Sequence, residues 1–261
     1  MLSGFLHKNR EKLIREKMQN HYIIGDVHGE YKTLLALVDK LPKDAKLVFV
    51  GDLVDKGLQS KEVISFIRKH NYLSVKGNHE SSVIEVGKRI ISYLNNKGSY
   101  ANIMEIWTKN RLGTFLSYGL VEEMADGYLR FIDDEKAMAK FLDDSDWMDS
   151  LPYYLELDIE HSSGKQVVVS HSNISKIWNI RHDVLQRELF EYEVQWTRDN
   201  ETLDDTGIFN IYGHTPQKYG LTVKKDYVCV DTGCCYYDME EYGRLSAYCL
   251  ESGELFEIAH V

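Results

Sequence analysis

Seven residues able to ligate metal ions fall where apolar runs end. Tyr22-Ile23-Ile24 leads into Gly25-Asp26-Val27-His28-Gly29. Leu47-Val48-Phe49-Val50 leads into Gly51-Asp52-Leu53-Val54-Asp55-Lys56-Gly57, and Tyr72-Leu73-Ser74-Val75 into Gly77-Asn78-His79-Glu80. Asp26 and Asp52 are 26 residues apart, and so are Asp52 and Asn78. In the second half, Val167-Val168-Val169 ends at Ser170-His171 and Ile208–Tyr212 ends at Gly213-His214. A lone histidine at a strand end is ordinarily surface, and Asp after Gly often only makes a turn. Here two carboxylates, one amide and four imidazoles share one kind of position: Asp26, His28, Asp52, Asn78, His79, His171 and His214. Loops that end buried strands are where open α/β sheets place active sites. Mixed oxygen and imidazole donors suit two borderline divalent ions such as Mn, Fe or Zn. Ions paired in this way lie about 3.5–4 Å apart, and a carboxylate normally bridges them. Two dications and two carboxylates leave about +2, which can hold a phosphate dianion even in a chain of formal charge −10.

Strands and helices must alternate to place these loops together. Leu34, Leu37, Val38 and Leu41 recur at helical spacing before Pro42, and Val63, Ile64, Phe66 and Ile67 give a second helix ending near His70. Strand, helix, strand, helix, strand at this spacing predicts a parallel sheet with helices on its faces. His70, in a last helical turn, reads as a surface or capping residue. Residues 84–151 break the pattern and read as a helical insertion or lid, with helical stretches at Val83–Leu94, Ile103–Trp107 and Lys136–Phe141. Segment 121–150 holds ten acids against three bases, fitting either a solvated face or a lid that screens substrates by charge. The second half returns to strands. Tyr153–Ile159 and Gln166–Ser170 form a hairpin about His161–Lys165, followed by Ile208–Tyr212, Tyr227–Val230, Arg244–Leu250 and Glu254–Ile258. With no repeat and no linker, residues 1–261 read as a single domain.

Composition narrows the function classes. Hydrophobic content of 43% and charged content of 28% are those of a soluble globular protein. No apolar run approaches a membrane span, and the start Met1–Leu6 is too short for a signal peptide's apolar region, so a cytoplasmic location is expected. Cys229, Cys234, Cys235 and Cys249 make no CxxC spacing, which argues against a zinc ribbon and for reduced thiols. The charge of −10 argues against a stable nucleic-acid partner. Residues 8–17, with five cations and two acids, read as a solvated N-terminal helix or arm.

The motifs GDVHG, GDLVDKG and GNHE, followed by His171 and GHT, together resemble the calcineurin-like metallophosphoesterases. They are most similar to the branch holding bacterial and phage serine/threonine protein phosphatases and diadenosine-tetraphosphatase-like enzymes. Asn110–Gly119, Trp196-Thr197-Arg198 and Val230–Gly233 extend the resemblance, which runs from about Tyr22 to Phe256. It implies an α/β fold, an α+β sandwich of mixed β-sheets flanked by helices with a helical insertion. It also implies two divalent ions, Mn first, with Fe, Zn, Ni or Co as alternatives. Asp26 and His28 would hold the first metal, Asp52 would bridge, and Asn78, His171 and His214 would complete the second. His79 would be the general acid, hydrogen-bonded by Asp55, and Lys56, Arg198 and Asn78 would bind the substrate phosphate.

Lys56 departs from the phosphatase pattern, where arginine supplies a bidentate fork and lysine only a point charge. A lysine there is reminiscent of the diadenosine-tetraphosphatase group, whereas Asp55 is a protein-phosphatase trait. The expected substrate is thus a phosphorylated protein or small phosphoester. The alternative is a phosphoanhydride such as a dinucleoside polyphosphate or a related nucleotide or RNA end. Tyr118, Tyr128, Trp178 and Tyr236 are either base-stacking groups or packing. No metal position is missing, which argues against a binding module with a relic site.

Overall fold

The computed structural model describes residues 20–95, 112–125, 129–198 and 206–261. Its apolar runs become strands because both of their faces are buried. In β1 (His21–Ile24) and β2 (Lys46–Phe49), paired in parallel, Ile23 and Val48 face one core while Tyr22, Ile24, Leu47 and Phe49 face another. Strands buried on two faces lose the alternation of a half-exposed strand and read as continuous apolar runs. β3 (Leu73–Ser74) adds in parallel to β2, and β11 (Arg244–Cys249) and β12 (Leu255–Ala259) close the other edge antiparallel, giving the order β12-β11-β1-β2-β3.

A second sheet has the order β6-β7-β8-β10-β9, from β6 (Tyr154–Glu160), β7 (Gln166–Ser170), β8 (Ile208–Tyr212), β9 (Thr222–Val223) and β10 (Tyr227–Cys229). β7, β8 and β10 run parallel. The sheets stack through Ile23, Val48, Val50 and Val75 on one side and Val167, Val169, Phe209, Ile211 and Val228 on the other. The outer face of the first sheet is covered by α1 (Tyr31–Val38), α2 (Ser60–His70) and α3 (Asn78–Leu94), with α4 (Leu112–Tyr118) and α5 (Glu135–Asp149) sharing that core. The outer face of the second sheet is covered by α6 (Arg187–Trp196) and a short 3-10 turn at Trp178–Ile180. The result is a helix–sheet–sheet–helix sandwich, the mixed α/β class the motifs imply.

Several described elements are not expected from the sequence, among them α4 and the two-residue β9. The hairpin β4 (Val121–Glu123) and β5 (Leu129–Phe131) has three residues per strand, too few for a period. In α6 only Phe190, Val194 and Gln195 are buried, so its apolar stripe is nearly masked by charge. The helix expected at Val83–Leu94 begins earlier, at Asn78, so the third loop's polar residues form a helix N-terminus. Residues 8–17, Ile103–Trp107 and Tyr128 lie outside the described residues. His70 is exposed and stacks on Tyr72 at 5.3 Å. All four cysteines are free thiols, three of them buried.

Candidate metal centre and active site

Every parallel strand of both sheets points its C-terminal end at one place. The loops after β1, β2 and β3 bring Asp26, His28, Asp52, Asp55, Lys56, Asn78 and His79, and those after β7 and β8 bring His171 and His214. Backbone bonds lace the first two loops together: the Val27 and His28 amides donate to the Asp52 carbonyl, and that of Gly57 donates to the His28 carbonyl. Turning this sharply needs unusual backbone. Among the described residues seven non-glycines have positive φ, and His28 (50°), Asp52 (49°), Asp55 (71°), Lys56 (65°) and His214 (66°) are five of them. Such conformations persist only where the surroundings over-determine them, and they gather at functional sites.

Asp52 is at the centre. Its Oδ2 lies 3.7 Å from His28 Nε2 and 3.9 Å from His79 Nε2, while its Oδ1 lies 3.4 Å from His171 Nε2. Two groups of donors therefore share this one carboxylate, His28 and His79 on one side and His171 and His214 on the other. His171 Nε2 is 2.9 Å from Asn78 Oδ1 and 3.1 Å from His214 Nδ1. Asp26 stands alongside, accepting from the His214 amide at 3.2 and 3.1 Å.

The outer ring nitrogens decide where the lone pairs point. His28 Nδ1 sits 3.0 Å from the Val54 carbonyl, His171 Nδ1 2.8 Å from that of Val50, and His214 Nε2 3.2 Å from that of Trp196. A carbonyl can only accept, so each of these nitrogens carries the hydrogen, and whenever the ring is neutral the opposite nitrogen turns a lone pair inward; His171, whose pKa Asp52 raises, reaches that state by giving up its inner proton. The centre is then an assembly of acceptors facing acceptors: Asp52, His28, Asn78 Oδ1, His171 and His214. Only protons or cations relieve that arrangement, and donors of this type fit divalent ions.

The charges agree. Burial, reinforced by His79, pushes the His28 pKa down to about 3, and burial with His171 beside it does the same for His214. Both rings are neutral and available as ligands across the physiological range. Burial opposes the charge on Asp52, but His171 and then His79 outweigh it and hold this carboxyl well below the usual range. Asp26 is pushed the other way by burial and by the neighbouring Asp231 and Asp52 charges.

His79 differs from the other three histidines. Its Nδ1 donates to Asp55 Oδ2 at 2.7 Å, so Nε2 faces the centre with Asp55 behind it. Burial works against its charge, yet Asp52 and Asp55 together raise its pKa. Lys56 Nζ lies 5.6 Å from the centroid of the Tyr236 ring, a cation–π distance. Arg198 is exposed, and its charge is felt by His214, Asp231 and Tyr236, which puts it on the rim of the centre. The stacking candidates separate: Tyr236 is at the site, whereas Tyr118 is buried with its hydroxyl on Asp144, and Trp178 is buried under Arg181.

Sequence reading missed Glu80. Its fully buried carboxylate accepts from the amides of Asp52 (2.9 Å), Leu53 (2.8 Å) and Gly77 (2.8 Å), tying the second loop to the third. The signal was its place at the third position of α3, where an acidic side chain commonly reaches back to cap the helix.

The chain is similar to known proteins. Residues 21–242 match the family model for calcineurin-like phosphoesterases. The chain is 35% identical to serine/threonine-protein phosphatase 2 of Escherichia coli over 78 residues, which is 29% of this chain and 36% of that protein. It is 27% identical to the symmetrical bis(5′-nucleosyl)-tetraphosphatase of Coxiella burnetii over 184 residues, covering 69% of this chain and 50% of the relative. The chain thus spans about half or less of the length of these two curated relatives. A solved structure provisionally named a diadenosine tetraphosphatase superposes with a TM-score of 0.58 at 20% identity, covering 93% of this chain and 94% of that one. With the family model matched from β1 through β10 and across all the loops of the centre, the chain belongs to the calcineurin-like phosphoesterase family.

Proposed function

We propose that this protein is a metal-dependent phosphomonoesterase of the serine/threonine protein phosphatase type, built on a dinuclear centre. The observation that carries the reading is the division of Asp52, with Oδ2 toward His28 and Oδ1 toward His171. Asp26 and His28 would hold one ion, Asn78, His171 and His214 the other, and Asp52 both. When bound, the ions supply positive charge for the phosphate and an acidified water. Manganese is the favoured occupant of this oxygen–imidazole set.

The chain's own groups do the rest. Arg198 and Lys56, with the Asn78 amide, bind and orient the phosphate oxygens, and their charge stabilises the transition state. As a water oxygen bonds to phosphorus, the bond to the leaving oxygen breaks, its electron pair goes to that oxygen and His79 Nε2 gives it a proton. Asp55 fixes the His79 ring and favours its protonated form. General acids of this kind accelerate turnover by about 10²–10⁴-fold.

A second reading is hydrolysis of phosphoanhydrides such as dinucleoside polyphosphates, favoured by Lys56 against Tyr236, a cation beside an aromatic face that could take a base. Among the described residues no helix is long and apolar enough to cross a membrane. Free thiols with no disulfide among them are in keeping with a cytoplasmic setting. The deciding experiment compares Mn-loaded protein on a phosphoserine peptide, a phosphotyrosine peptide, a dinucleoside tetraphosphate and a 5′-triphosphorylated RNA. Fastest turnover of the phosphoserine peptide, abolished in Asp52→Asn, is the expected result. Preference for the tetraphosphate or the RNA would move the assignment to the second reading, and near-normal activity in Asp52→Asn would remove the bridging role.

A further inference from the structure

Asp55 has two carboxylate oxygens, and different parts of the chain hold them. Oδ2 accepts from His79 Nδ1 at 2.7 Å. Oδ1 accepts from the hydroxyl of Thr114 at 3.0 Å, and Thr114 Oγ1 in turn accepts from the Asp55 amide at 2.9 Å. Ser60 Oγ, 3.0 Å from Thr114 Oγ1, completes the group. Since the Thr114 hydrogen is committed to Oδ1, the hydrogens run in one direction, from Ser60 to Thr114 to Asp55. Asp55, Thr114 and Ser60 are all fully buried, so water cannot replace any of these bonds.

Thr114 is not on the loops of the centre. It lies on α4, within residues 84–151, the stretch that interrupts the alternation of strands and helices. α4 is held down at both ends. Gly113 packs on the Lys56-Gly57 backbone so closely that a Cβ there would overlap the Gly57 carbonyl oxygen. Phe115 and Tyr118 pack on Phe141 of α5, with centroids 5.6 and 5.1 Å away, and the Tyr118 hydroxyl donates to Asp144 at 2.7 Å. A rigid helix thus presents one hydroxyl to the back of the carboxylate that orients His79.

We infer that Thr114 is a positioning residue for proton delivery: the insertion fixes the rotation of Asp55 and, through it, the aim of His79 Nε2. This rests on His79 acting as the proton donor of the proposed function. Without the Thr114 hydroxyl, Oδ1 is buried with one donor fewer and Asp55 can turn, so the imidazole loses its fixed direction. The cost falls on substrates whose leaving oxygen needs a proton and spares those whose leaving group departs as an anion.

The test compares Thr114→Val, Thr114→Ser and Tyr118→Phe in the Mn-loaded full chain. Thr114→Val should lower kcat on an alkyl phosphate by about tenfold, a fraction of the full general-acid effect. It should leave kcat on 2,4-dinitrophenyl phosphate within about twofold, with KM and bound metal unchanged. Thr114→Ser should restore the alkyl phosphate rate. Tyr118→Phe, which removes the bond to Asp144 but keeps the ring on Phe141 and Thr114 in place, should lower stability and leave the ratio of the two rates alone. Equal losses on both substrates, or none on either, would overturn the inference. An independent measurement, made on Zn-loaded protein because paramagnetic Mn erases nearby signals, is the NMR signal of the His79 Nδ1 proton, which should move in Thr114→Val and return in Thr114→Ser; an unmoved signal sinks the positioning role. A wild-type protein inactive on both substrates, with the proton signal still moving in Thr114→Val, would instead count against the proposed function.

Discussion

At the scale of single residues, the centre is held by groups with no obvious chemistry of their own. Glu80 satisfies three amides of the two central loops with one buried carboxylate. Glu80→Gln keeps the shape but turns an amide NH2 toward at least one of those N–H donors. Hydrogen bonds to a charged acceptor contribute about 1.5–3 kcal/mol. We therefore expect Glu80→Gln to lose roughly 2 kcal/mol in urea unfolding and to bind metal more weakly by elemental analysis after dialysis; full stability with full metal content would refute this. The seven donors were legible because lone-pair chemistry is written in residue type, and their shared place at strand ends shows in the apolar runs. The positive φ of His28, Asp52, Asp55, Lys56 and His214 was not legible. Glycine announces such a backbone, but a histidine or an aspartate adopts it only because neighbouring loops hold it there. Thr114 is hidden for a related reason, since its partner Asp55 is 59 residues away.

At the scale of elements, α3 carries both the polar N-terminus of the centre and the face that packs on α5. Gly87, in the middle of α3, has the poorest propensity short of proline and costs about 1 kcal/mol against alanine. Its place is explained by Phe141 of α5, a fully buried ring whose edge would be overlapped by a Cβ at residue 87. Gly87→Ala should therefore destabilise despite its better propensity, by about 1–2 kcal/mol, as overpacked cores do. Adding Phe141→Leu should recover part of that loss. A Gly87→Ala protein more stable than the parent in urea would show that α5 yields easily. Elements with long, strongly apolar faces, such as β1, β2, β7 and β8, were predicted almost to the residue. β3 shrank to two residues, and the short hairpin β4–β5 and the charged α6 escaped, because their positions are set by what they pack against. The acidic charge of 121–150 is partly spent internally. Asp143 and Asp144 bind Arg68, Asp144 binds Lys140, and Asp149 binds Lys76.

At the scale of the molecule, two sheets of ordinary apolar packing converge on a cluster of acids that repel one another. Burial, with the charge of Asp52 adding to it, pushes Glu80 up to about 6. Burial pushes Asp231 to about 7 against the help of the Gly233 amide. Their folded pKa values exceed those of the unfolded chain. The stability they contribute is therefore complete below the ordinary carboxyl range of about 4, and it is lost as pH rises through 6 and 7. His28 and His214, at about 3 in the fold, act in the opposite sense, adding stability as pH rises toward the ordinary histidine value of about 6.5. Above that value the carboxyl loss continues and is joined by His79 and His171, whose raised pKa values mean they give up their protons there, so the metal-free protein should lose stability on the alkaline side of neutrality. Bound cations change the balance, because they favour the charged form of every carboxylate near them and displace the protons held there. The unfolded chain is common to both states, so the gap in Tm between loaded and metal-free protein follows metal affinity alone. That affinity gains about tenfold per pH unit for each proton displaced. His28 and His214 hold no proton to displace above pH 5, while Glu80, Asp231 and the raised Asp26 and His171 do. The gap should widen between pH 5.5 and 7.5 at fixed free Mn and grow more slowly beyond. A gap independent of pH would mean that the buried acids do not feel the ions, and that the ions bind elsewhere than around Asp52.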